Sequence, residues 1–118
     1  MSREIKFRAW NKESKQYVPP MTIQEIIYST KNEFSLEKLN EWFIFEQYTG
    51  LKDKNGIEVY EGDIVRLCES TYPCLVYWDG LGFYWLMNGR RRYIDLTIDK
   101  MNIIGNIHKN KELLKWVI

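Results

Sequence analysis

The sequence predicts a mainly β, α+β protein: an N-terminal β-hairpin plus short helices, followed by a small β-barrel in the C-terminal half. Three observations carry that prediction. Aromatic residues make up 15% of the chain, with five Trp and eight Tyr, and flat rings pack well on pleated surfaces. Three turn dipeptides, Asn55-Gly56, Asp79-Gly80 and Asn88-Gly89, punctuate the β-rich second half. With 118 residues the chain has room for one buried core, and short strands at this pitch close most economically into a barrel, because closure removes exposed edges.

Taken in order, Lys6-Phe7-Arg8-Ala9-Trp10 alternates polar and apolar, and Gln16-Tyr17-Val18 follows a polar link, which is a hairpin pattern. Pro19-Pro20 is expected to end the second strand, since a proline ring lacks the donor a ladder needs. Between Met21 and Trp42, Thr22 and Glu25 have capping-box spacing ahead of Ile23, Ile26 and Ile27, and Ser35 suits the start of a second helix carrying Leu36 and Leu39. The Ile-Ile-Tyr and Trp-Phe-Ile-Phe runs suit strands equally well, so one or two short helices in irregular structure are expected, then a strand from Trp42 to Tyr48. Six further strands are expected: Ile57 to Tyr60, Asp63 to Glu69, Leu75 to Trp78, Phe83 to Met87, a piece from Tyr93 to Leu96, and Asn102 to Ile107. A helical turn or two at Lys111 to Trp116 should dock Leu and Trp on the barrel. This divides the chain into an α+β portion over 1–48 and a barrel with its terminal helix over 49–118, expected to form one compact unit.

Hydrophobic residues at 45% and charged residues at 28% suit a soluble globular protein and are too apolar for a disordered one. The opening MSREIKFRAWNKESK has no apolar core of signal-peptide length, and no later run is long enough to span a bilayer, so a cytosolic location and no membrane partner are expected. Cys68 and Cys74 should then stay reduced, and with the single histidine, His108, they match no zinc spacing; no metal and no cofactor are expected. The net charge of +1 hides a segregation: residues 1–20 sum to +3, 21–63 to −5 and 64–118 to +3. Opposite signs on separate segments meet more readily within a fold or between subunits than on a nucleic-acid surface, which carries a dominant positive balance.

The stretch VYEGDIV, Val59 to Val65, sets Glu61 and Asp63 around Gly62 at the mouth of an apolar run. Catalysis by two carboxylates needs environments that push their pKa values apart and a set of partner groups, and the chain supplies no nucleophile with a base, no ligand cluster and no phosphate loop. A corner needs only a glycine free to take positive φ and a carboxylate that accepts backbone N–H groups. The structural reading is the one adopted for Gly62 and Asp63, as for Asn55 and Gly56, and no catalytic residue is assigned.

Four ordered blocks also resemble a known family. Ile5-Lys6-Phe7-Arg8-Ala9-Trp10, then Thr49-Gly50-Leu51-Lys52-Asp53-Lys54-Asn55-Gly56, Tyr60-Glu61-Gly62-Asp63-Ile64-Val65, and Ile103-Ile104-Gly105-Asn106-Ile107 are similar to those of the YopX family, small proteins encoded mainly by bacteriophages and prophages of Gram-positive bacteria. The resemblance implies an SH3-like β-barrel in the second half, an N-terminal α+β portion and a tendency to self-associate. It implies no enzymatic activity.

Two surfaces are candidates for binding. Arg90-Arg91-Arg92-Tyr93 lies beyond the Asn88-Gly89 turn with Trp78, Tyr84 and Trp85 on neighbouring strands; guanidinium groups there could hold phosphates while rings stack on unpaired bases, or the run is a solvated loop beside core aromatics. Trp10, Trp42 and Trp116 come from three segments and suit either a subunit interface or the filling of an internal seam. The functional expectation is a phage-derived, non-enzymatic binding or assembly module that forms a homo-oligomer and meets a phage or host protein; the alternative is a small barrel that binds single-stranded nucleic acid.

Overall fold

The computed structural model describes residues 5–32, 35–67, 72–93 and 100–117. The chain is mainly β, with two antiparallel sheets, and divides into two units, Met1–Tyr48 and Thr49–Ile118.

In the first unit β1 (Lys6–Asn11) lies between β2 (Gln16–Thr22) and β3 (Phe43–Lys52), antiparallel to both. The Asn11 side chain closes the β1–β2 turn by accepting from the N–H groups of Glu13 and Ser14 at 2.9 and 3.1 Å. Contrary to expectation, β2 runs through Pro19-Pro20 to Thr22. The register explains it: Phe7 faces Met21 and Ala9 faces Val18, so both prolines bulge opposite Arg8. Because β2 is the edge strand, their missing donors cost the ladder nothing.

Two helices follow; the strand alternative is not adopted at Ile26-Ile27-Tyr28, whereas Phe43-Ile44-Phe45 does enter β3. The first, α1 (Ile23–Asn32), starts where Thr22 Oγ1 accepts from Glu25 N–H at 3.2 Å; the second, α2 (Leu36–Trp42), starts where Ser35 Oγ accepts from Lys38 N–H at 3.2 Å. Both caps satisfy donors that the first helical turn leaves unpaired. Leu39 is buried, but Ile23, Ile27, Tyr28 and Leu36 are exposed, at 40, 50, 63 and 57%.

In the second unit the end of β3 pairs with β4 (Glu58–Tyr60). A five-stranded sheet follows, built from β5 (Asp63–Arg66), β6 (Cys74–Trp78), β7 (Phe83–Met87), β8 (Arg90–Tyr93) and β9 (Asn102–Asn106) in the order β8-β7-β6-β5-β9. Among the described residues β8 and β9 are its two edges. Val59, Val65, Cys74, Val76, Trp85 and Met101 form the core of this unit. The β7–β8 turn is the tight one its sequence asks for: Asn88 and Gly89 both take positive φ, 50° and 74°, and Met87 faces Arg90 directly. The last sheet strand but one therefore starts at Arg90 rather than Tyr93; residues 94–96 of the expected strand lie outside the described residues, as do residues 68 and 69 at the expected end of β5.

Lys111–Trp116 forms a 3-10 helix. Its end is held by N–H groups of the β7–β8 turn, Asn88 donating to the Trp116 carbonyl at 3.2 Å and Gly89 to that of Val117 at 2.9 Å. Val117 is fully buried while Trp116 remains 45% exposed, so the valine, not the expected tryptophan, anchors the terminus. No helix among the described residues is long and apolar enough to cross a membrane.

Candidate interaction surfaces

Gly62 stands at φ 89°, where an L side chain is strained, and its backbone is held on both sides: its N–H donates to Val76 O at 2.7 Å and its carbonyl accepts from Ile107 N–H at 2.9 Å. Asp63 is 2% exposed, and its Oδ2 accepts from Tyr60 N–H at 2.9 Å. The two residues form a braced corner at the entry to β5, and Glu61 beside them is half-buried.

A second carboxylate, in the Lys52-Asp53-Lys54-Asn55-Gly56 stretch that the sequence offers as either a recognition loop or a tight turn, does more. Asp53, buried at 7% exposure, accepts through Oδ1 from the N–H groups of Asn55 and Ile57 at 2.8 and 3.0 Å, and through Oδ2 from Ile103 N–H at 3.3 Å. Its own N–H and carbonyl close the loop with Ile57 O and Gly56 N–H. Asn55 and Gly56 thus sit in a turn organised around Asp53 and tied to β9. The Asx-turn pattern Asp-x-Asn-Gly was the available signal; the bond to Ile103 had none.

A third polar centre lies in the first unit. Glu46 is 3% exposed and its Oε1 accepts from Arg8 Nε at 2.8 Å and from the Tyr17 hydroxyl at 2.9 Å, while the Arg8 guanidinium lies 4.2 Å from the Tyr17 ring centroid. Arg8 and Glu46 are direct cross-strand neighbours. A charge buried this deeply needs its partner, and this one has two.

The arginines expected in a loop stand on the edge strand β8, all three exposed, with Arg92 facing Trp85, Arg91 facing Leu86 and Tyr93 facing Tyr84. Alternation sends Arg90 and Arg92 to one face and Arg91 to the other, where its guanidinium lies 5.6 Å from the Tyr84 ring. Trp85, at 2% exposure, is a core residue and offers no ring face to a base; Trp78 is half-buried with its ring 4.8 Å from that of Phe83. The strand pairing therefore brings these residues together without forming an aromatic platform from Trp78 and Trp85.

Of the other three tryptophans, Trp10 is 7% exposed with its ring edge-on to Tyr17 at 4.9 Å, Trp42 is 41% exposed at the end of α2, and Trp116 stacks on exposed Tyr72 at 6.0 Å. Cys74 is buried in the core, and burial pushes its thiol up to about 11. Cys68 lies outside the described residues. Among the described residues no group of three or more His, Cys, Asp and Glu is placed to hold a metal ion.

Comparison with known proteins adds the lineage. The crystal structure of protein EF1440 from Enterococcus faecalis superposes with a TM-score of 0.60 over 96% of this chain and 99% of that one, at 23% identity, which establishes a shared fold. Ent-kaur-16-ene synthase, chloroplastic, from Cucurbita maxima is 31% identical over 70 residues; the match spans 58% of this chain and 8% of that enzyme. The profile of the YopX family, described as YopX protein, matches residues 6–115. With that match running over nearly its whole length, the chain belongs to the YopX family.

Proposed function

We propose that the protein is a phage-derived, non-enzymatic binding and assembly module of the bacterial cytoplasm, acting through protein–protein contacts as a homo-oligomer, with an SH3-like barrel as its second unit. The observation that carries this reading is the exposed apolar surface of the helical segment: Ile23 and Ile27, one turn apart on α1, with Tyr28, Leu36 and Trp42, all at least 40% exposed. Helices of water-facing monomers keep such side chains toward a core, and clustered exposed ones mark contact sites. The barrel part is supported by the five-stranded antiparallel order around one core and by the tight turn between β7 and β8. The Asp63 carboxylate at the Gly62 corner and the Asp53 carboxylate in its loop accept from backbone donors, which favours a structural over a catalytic use of both.

Light scattering on the purified chain tests the reading, with Ile23→Ser/Ile27→Ser as the comparison. The wild type should run as a multiple of 14.3 kDa, and the variant should shift toward monomer while its unfolding midpoint moves by no more than about 0.5 kcal/mol, as exposed substitutions do. A wild-type monomer at tens of micromolar that also captures no phage or host protein contradicts it.

A further inference from the structure

We propose that a pocket beside the β1–β2 turn of one copy receives the β8 arginines of a second copy, forming a self-assembly contact; this deepens, and rests on, the homo-oligomer reading above. The pocket, of about 220 Å³, is lined by Asn11, Lys12, Glu13, Glu41, Trp42 and Phe43. Its walls are fixed to one another: Lys12 N–H donates to the Trp42 carbonyl at 3.0 Å, and the Lys12 ammonium donates to the Asn40 carbonyl at 3.1 Å. Glu13 and Glu41 are exposed, and among the described residues neither carboxylate makes a hydrogen bond or ion pair. The 41% exposed indole of Trp42 lines the same pocket.

That combination suits a guanidinium. Arg is planar, stacks on an indole face and donates in pairs to carboxylates, so a ring with two carboxylates recognises it better than either feature alone. Isolated exposed ion pairs contribute little, and the ring and the partial enclosure are what turn surface charge into a site.

The chain carries the matching ligand. Arg90, Arg91 and Arg92 are exposed, and among the described residues none pairs with a carboxylate. On β8 the side chains of Arg90 and Arg92 share a face about 7 Å apart, as residues two positions apart in a strand do. As an edge strand β8 could instead pair with itself across a twofold, but that sets arginine against arginine, which is unfavourable. An acidic surface suits that edge better, and the exposed Glu13 and Glu41 carboxylates at the pocket supply one. Made twice about a twofold axis the contact closes a dimer; made head to tail it builds a ring.

Sedimentation velocity at low and high salt on three variants decides the matter: Arg90→Glu/Arg92→Glu, Glu13→Arg/Glu41→Arg, and the four substitutions together. Each pair should weaken self-association at least tenfold without shifting the unfolding midpoint, and the fourfold swap should restore it; the wild-type association should weaken with salt. If the wild type associates and both charge-reversed pairs do so as strongly, this contact is wrong while the homo-oligomer reading stands. A monomeric wild type removes both. Arginine reversal that abolishes salt-dependent binding of a single-stranded oligonucleotide, yet leaves assembly intact, overturns the contact in favour of a nucleic-acid role for β8.

Discussion

Asp53 holds three backbone N–H groups with one side chain, and it does so from inside the fold, where an unanswered donor is costly. Asp53→Ala should therefore lower stability by about 3 kcal/mol, roughly 1 kcal/mol per lost bond, seen as a lower urea midpoint. Asp53→Asn, which keeps an acceptor for Asn55 and Ile57, should cost clearly less. An unchanged midpoint in the alanine variant would mean the loop is not held this way. Cys74 is a residue-scale case with a pH signature. Its thiol is raised from 9.0 to about 11 by burial, so folding favours the protonated form. The resulting stabilisation is present below the unfolded value and lost as pH climbs from about 9 through about 11. Against Cys74→Ala, the wild type should show the steeper fall in stability over that window; in a Cys68→Ser background the native protein should resist thiol reagents at pH 8 and react once unfolded. Equal pH dependence, or rapid native-state labelling, contradicts the burial argument.

At the scale of elements, β1 and β3 are joined by a buried ion pair as well as by their ladder. Removing one partner strands the other: Glu46→Ala should cost about 3–5 kcal/mol, and Arg8→Met/Glu46→Leu should recover most of that loss, measured as a double-mutant cycle. A cheap single substitution would show that the pair is not desolvated. The elements also mark how far local reasoning reaches. The hairpin, the two helix caps, β7 and the terminal 3-10 helix were legible because turn dipeptides, Ser/Thr caps and alternation act within a few residues. Pro19-Pro20 misled because being an edge strand is a property of the sheet, not of the segment. Alternation put Trp85 and Tyr84 on opposite faces, but only the packed sheet decided that the Trp85 face is core. The Asp53–Ile103 bond and the Arg8–Glu46–Tyr17 cluster join residues far apart in the chain, and single-sequence patterns carry no information on such pairs. Of the proposed binding residues, the arginine run was visible as charge, whereas its exposure on strand β8 and the exposure of Glu13 and Glu41 beside Trp42 at one pocket were not.

For the whole molecule, the two units present complementary assets. The first leaves apolar helical side chains exposed and a pocket with two carboxylates that are unpaired among the described residues; the second carries three exposed arginines on a strand at the sheet edge among those residues. The buried carboxylates of the second unit are meanwhile committed to backbone donors. The most direct measurement is the mass of the wild-type chain by sedimentation equilibrium over a concentration series from low micromolar upward at moderate salt. A reversible rise to a fixed multiple of 14.3 kDa is expected. A mass that stays at 14.3 kDa throughout would contradict it.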